Sequence, residues 1–239
     1  MKLIATHHKS GTAFLEKVLP PICQDKLKII RADFDGNFSQ SFLADTQYIL
    51  FTHAKINQIE KLFKLKNPLT ILHFIRDPRK LILSAYNYHL RGREKWLNEK
   101  YDNKMSHLET LKTLSRTDGI IHEMSTISYW NIIDMIEVEE NFQTQTFKIE
   151  DISYDKSLNE AQRLGSLLGL NGADLLNAIN IIAKNSLWFG ENAKLPHVTG
   201  GVKQNLEEEW NSELEMNYKR LFGERDKILN YEFKESKKL

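Results

Sequence analysis

Lys9-Ser10-Gly11-Thr12-Ala13 is the stretch of this chain best suited to hold an anion. It follows a short apolar segment and precedes Phe14, Leu15, Val18 and Leu19 at helical spacing, which puts it at the start of a helix. Backbone N–H groups converge at such a start, the helix dipole adds partial positive charge, and Gly11 lets the backbone approach a ligand closely. Lys9 supplies a point charge, and Ser10 and Thr12 add hydroxyl donors. The order differs from that of nucleoside triphosphatases, which place the lysine after the glycines; here Lys9 precedes the one glycine of the stretch. Ser10 would equally serve as an ordinary helix cap, with Gly11 incidental.

A base and a second anion contact are the next candidates. His53 follows an apolar run at Tyr48–Thr52, at the C-terminal end of a strand, where ligands bind in open α/β sheets. Imidazoles titrate near pH 6.5, a range suited to taking a proton, although a solvated strand-end histidine has the same sequence. Arg76 ends the run Thr70–Ile75 just before Asp77-Pro78, and Ser84 lies eight positions further on. Arg76 suits a phosphate contact or a structural ion pair. His7-His8 is adjacent in sequence, hence on opposite sides of a strand, and His122-Glu123 lacks the second histidine of a zinc helix. His89, beside Tyr86 and Tyr88, fits an interhelix contact or an acceptor pocket. Trp188 and Phe189 fit core packing or an adenine contact. Glu207, Glu208, Glu209, Glu213 and Glu215 read as a solvated helix face, and Arg91, Arg93, Lys95, Trp96, Lys100 and Tyr101 as a run that would attract an anionic acceptor.

These residues need a scaffold, and the punctuation of the chain alternates strands with helices. Strands are expected at Lys2–Thr6, Lys28–Ala32, Tyr48–Thr52, Thr70–Ile75 and Thr146–Ile149. Helices are expected from Thr12 until Pro20-Pro21, across Ile56–Phe63, from Pro78 to about Leu90 with Asp77 as N-cap, and across Ile127–Ile136. Two more are expected, one from Leu158 ending at Gly169 and one at about Ala173–Ala183. Arg91 to about Lys112 reads as a mobile, mostly helical excursion rather than a buried layer. Residues 185–205, with Gly190, Pro196, Gly200 and Gly201, form a long irregular segment of the functional kind. The pattern predicts an α/β fold, a three-layer sandwich with a mainly parallel central sheet. It predicts a single domain over residues 1–239 with a helical lid-like excursion at about 91–119.

The 33 Lys+Arg against 32 Asp+Glu leave a net charge of +1, which argues against nucleic acid as the partner and makes any basic site local. The longest uninterrupted apolar run, Tyr48–Phe51, is far short of the roughly 20 residues of a membrane span. Met1–Ala5 breaks off into Thr6-His7-His8-Lys9 before a signal-peptide core forms, and the 1 cysteine, Cys23, allows no internal disulfide. A cytoplasmic location is the expectation.

In order along the chain, Lys9-Ser10-Gly11-Thr12 resembles the 5′-phosphosulfate loop of sulfotransferases that use 3′-phosphoadenosine 5′-phosphosulfate (PAPS). Thr52-His53 is similar to the Thr-His pair whose histidine is the family's base. Arg76-Asp77-Pro78-Arg79-Lys80 with Ser84-Ala85-Tyr86 is similar to its 3′-phosphate motif, and Lys148-Ile149-Glu150-Asp151 to its Tyr-Glu-Asp strand. The resemblance implies a P-loop-like nucleotide-binding core and sulfuryl transfer to a hydroxyl or amine, without a metal. It makes Lys9 and His53 catalytic, with adenosine 3′,5′-bisphosphate (PAP) as product. Lys9, Ser10, Gly11, Thr12, Ala13, Phe14, Arg76, Ser84, Gly200 and Gly201 would bind the nucleotide. Several features depart from the pattern. Ala13 and Phe14 replace Thr and Trp, Ile149 stands where a Tyr would touch the adenine, and the Arg-Lys pair of the C-terminal loop is absent near His197–Gly201, where Lys194 or Lys203 would substitute. Small molecules, saccharides and lipid head groups are the acceptor classes implied. A kinase-like transferase and a catalytically silent nucleotide-binding protein of the same fold are the alternatives, the former disfavoured by the missing carboxylate pair for Mg²⁺.

Overall fold

Five short strands, β1 (Lys2–Ala5), β2 (Leu27–Ile30), β3 (Tyr48–Phe51), β4 (Thr70–Ile75) and β5 (Thr144–Lys148), pair in the order β2-β3-β1-β4-β5 in the computed structural model. It describes residues 1–31, 38–39, 41–65, 68–92, 94–100, 105–189 and 209–231. Every pairing is parallel, with β1 in register Lys2↔Tyr48 to β3 and Ala5↔His73 to β4. The helices are α1 (Thr12–Cys23), α2 (Ile56–Leu65), α3 (Pro78–His89), α4 (His107–Thr113), α5 (Arg116–Ser125), α6 (Ile127–Asn141), α7 (Ile149–Ser153), α8 (Asn159–Leu167), α9 (Gly172–Asn185) and α10 (Ser212–Phe222).

Parallel strands need crossovers that cover both faces of the sheet, so their residues are apolar in near-continuous runs. All of Tyr48–Phe51 is buried. Alternation then divides the side chains. Ile4, Leu50, Leu72, Phe74 and Phe147 pack with Leu15, Val18 and Leu19 of α1, Leu164 of α8 and Ile182 of α9. Leu3, Ala5, Ile49, Phe51 and Ile71 face the other way, onto Ile59 and Leu62 of α2 and Val138 of α6. The result is the three-layer α/β sandwich expected from the sequence. Asp77 caps α3, accepting from the Arg79 N–H at 3.0 Å. Gly169 ends α8 at φ +89°, a left-handed conformation glycine adopts without a Cβ clash.

The chain divides into two compact units, Met1–Arg76 with Glu137–Val198 and Asp77–Ile136 with Thr199–Leu239. The first holds the sheet. In the second, Arg79 is buried and donates through Nε and Nη2, both at 2.8 Å, to the two carboxylate oxygens of Glu215. Trp210 donates to the same carboxylate at 2.8 Å, and the Arg79 guanidinium lies over the Tyr218 ring at 4.1 Å.

Four expectations are corrected. α1 runs through Pro20 and Pro21 to Cys23, because its buried face continues with Leu19 and Cys23 and that burial outweighs the local cost of proline. The excursion after Arg91 does contribute a buried layer. Leu97, Leu108 and Leu111 are buried, and α4 opens with a capping box between Ser106 and Glu109. β5 ends at Lys148, and Ile149-Glu150-Asp151 opens α7 instead of extending the strand. Ile149 and Ile152 are buried there, and the two acids lie in the first turn, where the helix dipole favours them. Glu215 is no solvated residue, since Arg79 draws it into the second unit's interior, whereas Glu213 is exposed. Glu207 and Glu208 lie outside the described residues, as do Arg93, Tyr101, Gly190, Lys194, Pro196, His197, Gly200, Gly201 and Lys203.

Candidate active site

The loop between β1 and α1 is fixed from within. Ser10 is fully buried; its hydroxyl accepts from the His7 N–H and donates to the His7 carbonyl, both at 2.8 Å. The Thr6 hydroxyl lies 3.1 Å from that of Ser10 and 3.2 Å from that of Thr12. Thr12 reaches the His7 carbonyl at 3.1 Å and the Thr52 carbonyl at 3.4 Å, which ties the loop to the end of β3. Lys9 and Gly11 have left-handed φ values of +65° and +99°. At Lys9 that conformation costs about 1–2 kcal/mol. At Gly11 any other residue would be strained by the φ of +99°, and its Cβ would push on Ile149 Cδ1, 2.4 Å away.

This geometry separates the two possibilities for Ser10. The N-cap of α1 is Gly11, with no side-chain cap, and Ser10 spends its hydroxyl on the loop. Neither Gly11 nor Ser10 therefore caps the first amides of α1, which an α-helix leaves without intrahelical partners. Left-handed residues on both sides of Ser10 are the backbone pattern of anion-binding concavities. Ala13 is exposed on the first turn, and Phe14 packs against the core beneath it.

His53 is anchored at the neighbouring strand end. The Ala54 N–H donates to the Thr6 carbonyl at 2.9 Å, and the Thr6 N–H to the Phe51 carbonyl at 3.0 Å, so the residues around His53 are stitched to β1. The His53 ring stacks on that of His8, with centroids 5.7 Å apart, and its Nδ1 lies 3.4 Å from the Thr52 hydroxyl. Arg76 donates through Nη1 to the Lys9 carbonyl at 3.0 Å. Lys9, Ser10, Gly11, Thr12, His53 and Arg76 are thus held on one edge of the sheet, at the C-terminal ends of β1, β3 and β4. Ser84 belongs to the second unit, buried within α3.

One set of residues beside this loop was not found from the sequence. His7 and His73 are buried, with their Nε2 atoms 2.8 Å apart, and His73 Nδ1 lies 2.5 Å from Glu139 Oε1. Thr146 and Thr144 donate to Glu139 as well, at 2.8 and 3.0 Å. Burial, then the neighbouring His73 and His53 imidazoles, hold the His7 pKa well below the ordinary imidazole value. Burial opposes the Glu139 charge, but hydrogen bonds from His73, Thr146 and Thr144 outweigh it and hold that carboxyl below its ordinary value. The one sequence signal was His73 itself, a polar residue inside an apolar strand.

No protein-family model and no curated protein matches the chain. Among solved structures it is similar to the mouse sulfotransferase SULT7A1 complexed with PAP, with a TM-score of 0.58 at 12% identity over 94% of this chain and 82% of that one. The parallel five-stranded sheet with helices on both faces is the sulfotransferase α/β fold. Among the described residues no helix is long and apolar enough to cross a membrane.

Proposed function

We propose that the chain is a PAPS-dependent sulfotransferase acting on a hydroxyl or amine of a small-molecule, saccharide or lipid head-group acceptor. The observation that carries this reading is the braced loop at Lys9–Thr12, which opens a helix without a side-chain cap and has His53 at the next strand end. In sulfuryl transfer the bond from sulfur to the bridging phosphate oxygen breaks, and that oxygen keeps the electron pair. A bond from sulfur to the acceptor forms, and the acceptor proton passes to His53. Charge grows on the departing phosphate, so Lys9 and the amides of Gly11–Phe14 act where it develops. By the resemblance, Arg76 and Ser84 would contact the 3′-phosphate, and Gly200 and Gly201 are nucleotide-binding candidates. PAP would be the released product, and the cytoplasm the compartment. Neither the catalysis nor the nucleotide contacts assigned here need a metal.

The test is turnover of radiolabelled PAPS over an acceptor panel by wild type, Lys9→Ala and His53→Ala, with calorimetric titration of PAP against ATP. Lys9→Ala is expected to lower kcat far more than PAP affinity. His53→Ala is expected to lower kcat by about 10²–10⁴-fold with PAP affinity kept. Equal affinity for ATP and PAP would overturn the reading in favour of a kinase-like transferase. Tight PAP binding without turnover of any acceptor would leave a catalytically silent nucleotide-binding protein.

A further inference from the structure

Glu123, in α5, is a carboxylate with no exposed surface, and it faces two imidazoles and one hydroxyl. His89 Nδ1, at the end of α3, lies 2.7 Å from Oε2, and His107 Nε2, at the start of α4, lies 3.0 Å from the same oxygen. Ser128 donates to the other oxygen, Oε1, at 2.8 Å. The donor atoms of His89, His107 and Glu123 all lie within 4.8 Å of one another. The ion-pair partners of Glu123 among the described residues are these two histidines, with no Lys or Arg. A buried carboxylate without a fixed cation is costly, by several kcal/mol in typical proteins.

We propose that His89, His107 and Glu123 bind a divalent transition-metal ion of the zinc class. Two imidazoles and one carboxylate suit zinc, whereas calcium and magnesium take oxygen donors. Zinc-bound nitrogen and oxygen atoms sit about 2.0–2.2 Å from the metal, which places tetrahedral donors about 3.3 Å apart. The observed 2.7 and 3.0 Å would open by about 0.6 and 0.3 Å. Both imidazoles can stay neutral, each moving its proton from the nitrogen that faces Glu123 to the other one. Ser128 holds Oε1 and so orients the carboxylate to present Oε2, the kind of outer contact that tunes metal sites. His107, the partly exposed member at 12%, gives the ion a way in. The His122 ring stacks on it with centroids 5.2 Å apart, and Trp96 lies edge-on to His89 at 5.3 Å. His122-Glu123 thus gains, from two other helices, the histidine partners that its own helix lacks.

The experiment uses the full chain stripped with EDTA. Zn²⁺ is titrated by calorimetry and Co²⁺ by visible absorption, in wild type, His107→Ala, Glu123→Gln and His8→Ala. Wild type and His8→Ala are expected to bind one equivalent with Kd below about 1 μM, and to give cobalt the ligand-field bands of a four- or five-coordinate site. His107→Ala and Glu123→Gln are expected to weaken binding at least about 100-fold. Absence of stoichiometric binding in folded wild type overturns the proposal, and so does unchanged binding in His107→Ala. If Glu123→Gln fails to fold by circular dichroism, wild type and His107→Ala still decide. No readout depends on PAPS turnover.

Discussion

Each unit of the molecule buries two histidines with a carboxylate, and the two arrangements are opposite. In the first the groups form a line, His7 to His73 to Glu139, with the carboxylate at the end and 13% exposed. In the second they form a fork, with wholly buried Glu123 in the middle and His89 and His107 both aimed at one oxygen. The line fixes the order of protons. With Nδ1–H of His73 given to Glu139 and its Nε2 left as acceptor, His7 donates from Nε2, and each group of the line has one partner on each side. The fork has no such order, because its two donors converge on one acceptor, which is also the condition for both to converge on a cation. The same two residue types thus serve proton placement in one geometry and ion capture in the other, and spacing in sequence does not tell them apart.

The largest expected difference lies in removing each carboxylate. With EDTA present, Glu123→Ala is expected to cost about 3–5 kcal/mol of stability, because the buried His89 N–H and Ser128 hydroxyl and the partly exposed His107 N–H lose a wholly buried acceptor together. Glu139→Ala is expected to cost about 1–3 kcal/mol, since water reaches that position and can take over as acceptor for His73, Thr144 and Thr146. Urea unfolding with unchanged m-values measures both. Equal losses would erase the distinction between a centre and an end.

What the sequence revealed divides along a similar boundary. All five strands, the Asp77 cap and the Gly169 stop are local signals, carried by apolar runs and by residues with one conformational use. The loop at Lys9–Thr12 was legible for the same reason. The histidine partnerships were not, because His7 and His73 are 66 residues apart, as are His73 and Glu139, and parallel strand order brings them together. His89 and Glu123 are 34 apart and meet only when three helices pack. His7 and His89 were singled out one at a time, and His73 and His107 not at all. Nothing in the pattern marks Glu139 or Glu123 as buried, since periodicity marks apolar faces and says nothing of a buried carboxylate.

Acid tests the line in a second way. The unfolded chain protonates His7 near pH 6.5, while the folded chain resists to lower pH. The unfolded state therefore binds more protons below about 6.5, and stability rises with pH there. It is fully present above that value and is lost as pH falls. Glu139 acts with the same sign lower down, staying ionised in the fold while the unfolded carboxyl protonates near pH 4.3. Urea midpoints are expected to fall in two steps, and His7→Gln is expected to shrink the upper one. His122, depressed by burial and by His107, retains a part of it. A step untouched by His7→Gln and abolished by His122→Gln would place the acid-sensitive imidazole in the fork.

The smallest effect comes from the hydroxyls at the end of the line. Thr146 and Thr144 donate to Glu139 from β5, and valine at either position keeps the branched shape that suits a strand while deleting the donor. Each change is expected to cost about 0.5–1.5 kcal/mol, below the loss from Glu139→Ala, because His73 and the other threonine still hold the carboxylate. Donors that share one acceptor compensate for each other, so the double variant is expected to lose more than the sum of the single ones. The lower acid step should also move to higher pH, since fewer hydrogen bonds then favour ionised Glu139. An acid step left unmoved in the double variant would mean that His73 alone sets the charge of Glu139, and the line would end at a single hydrogen bond.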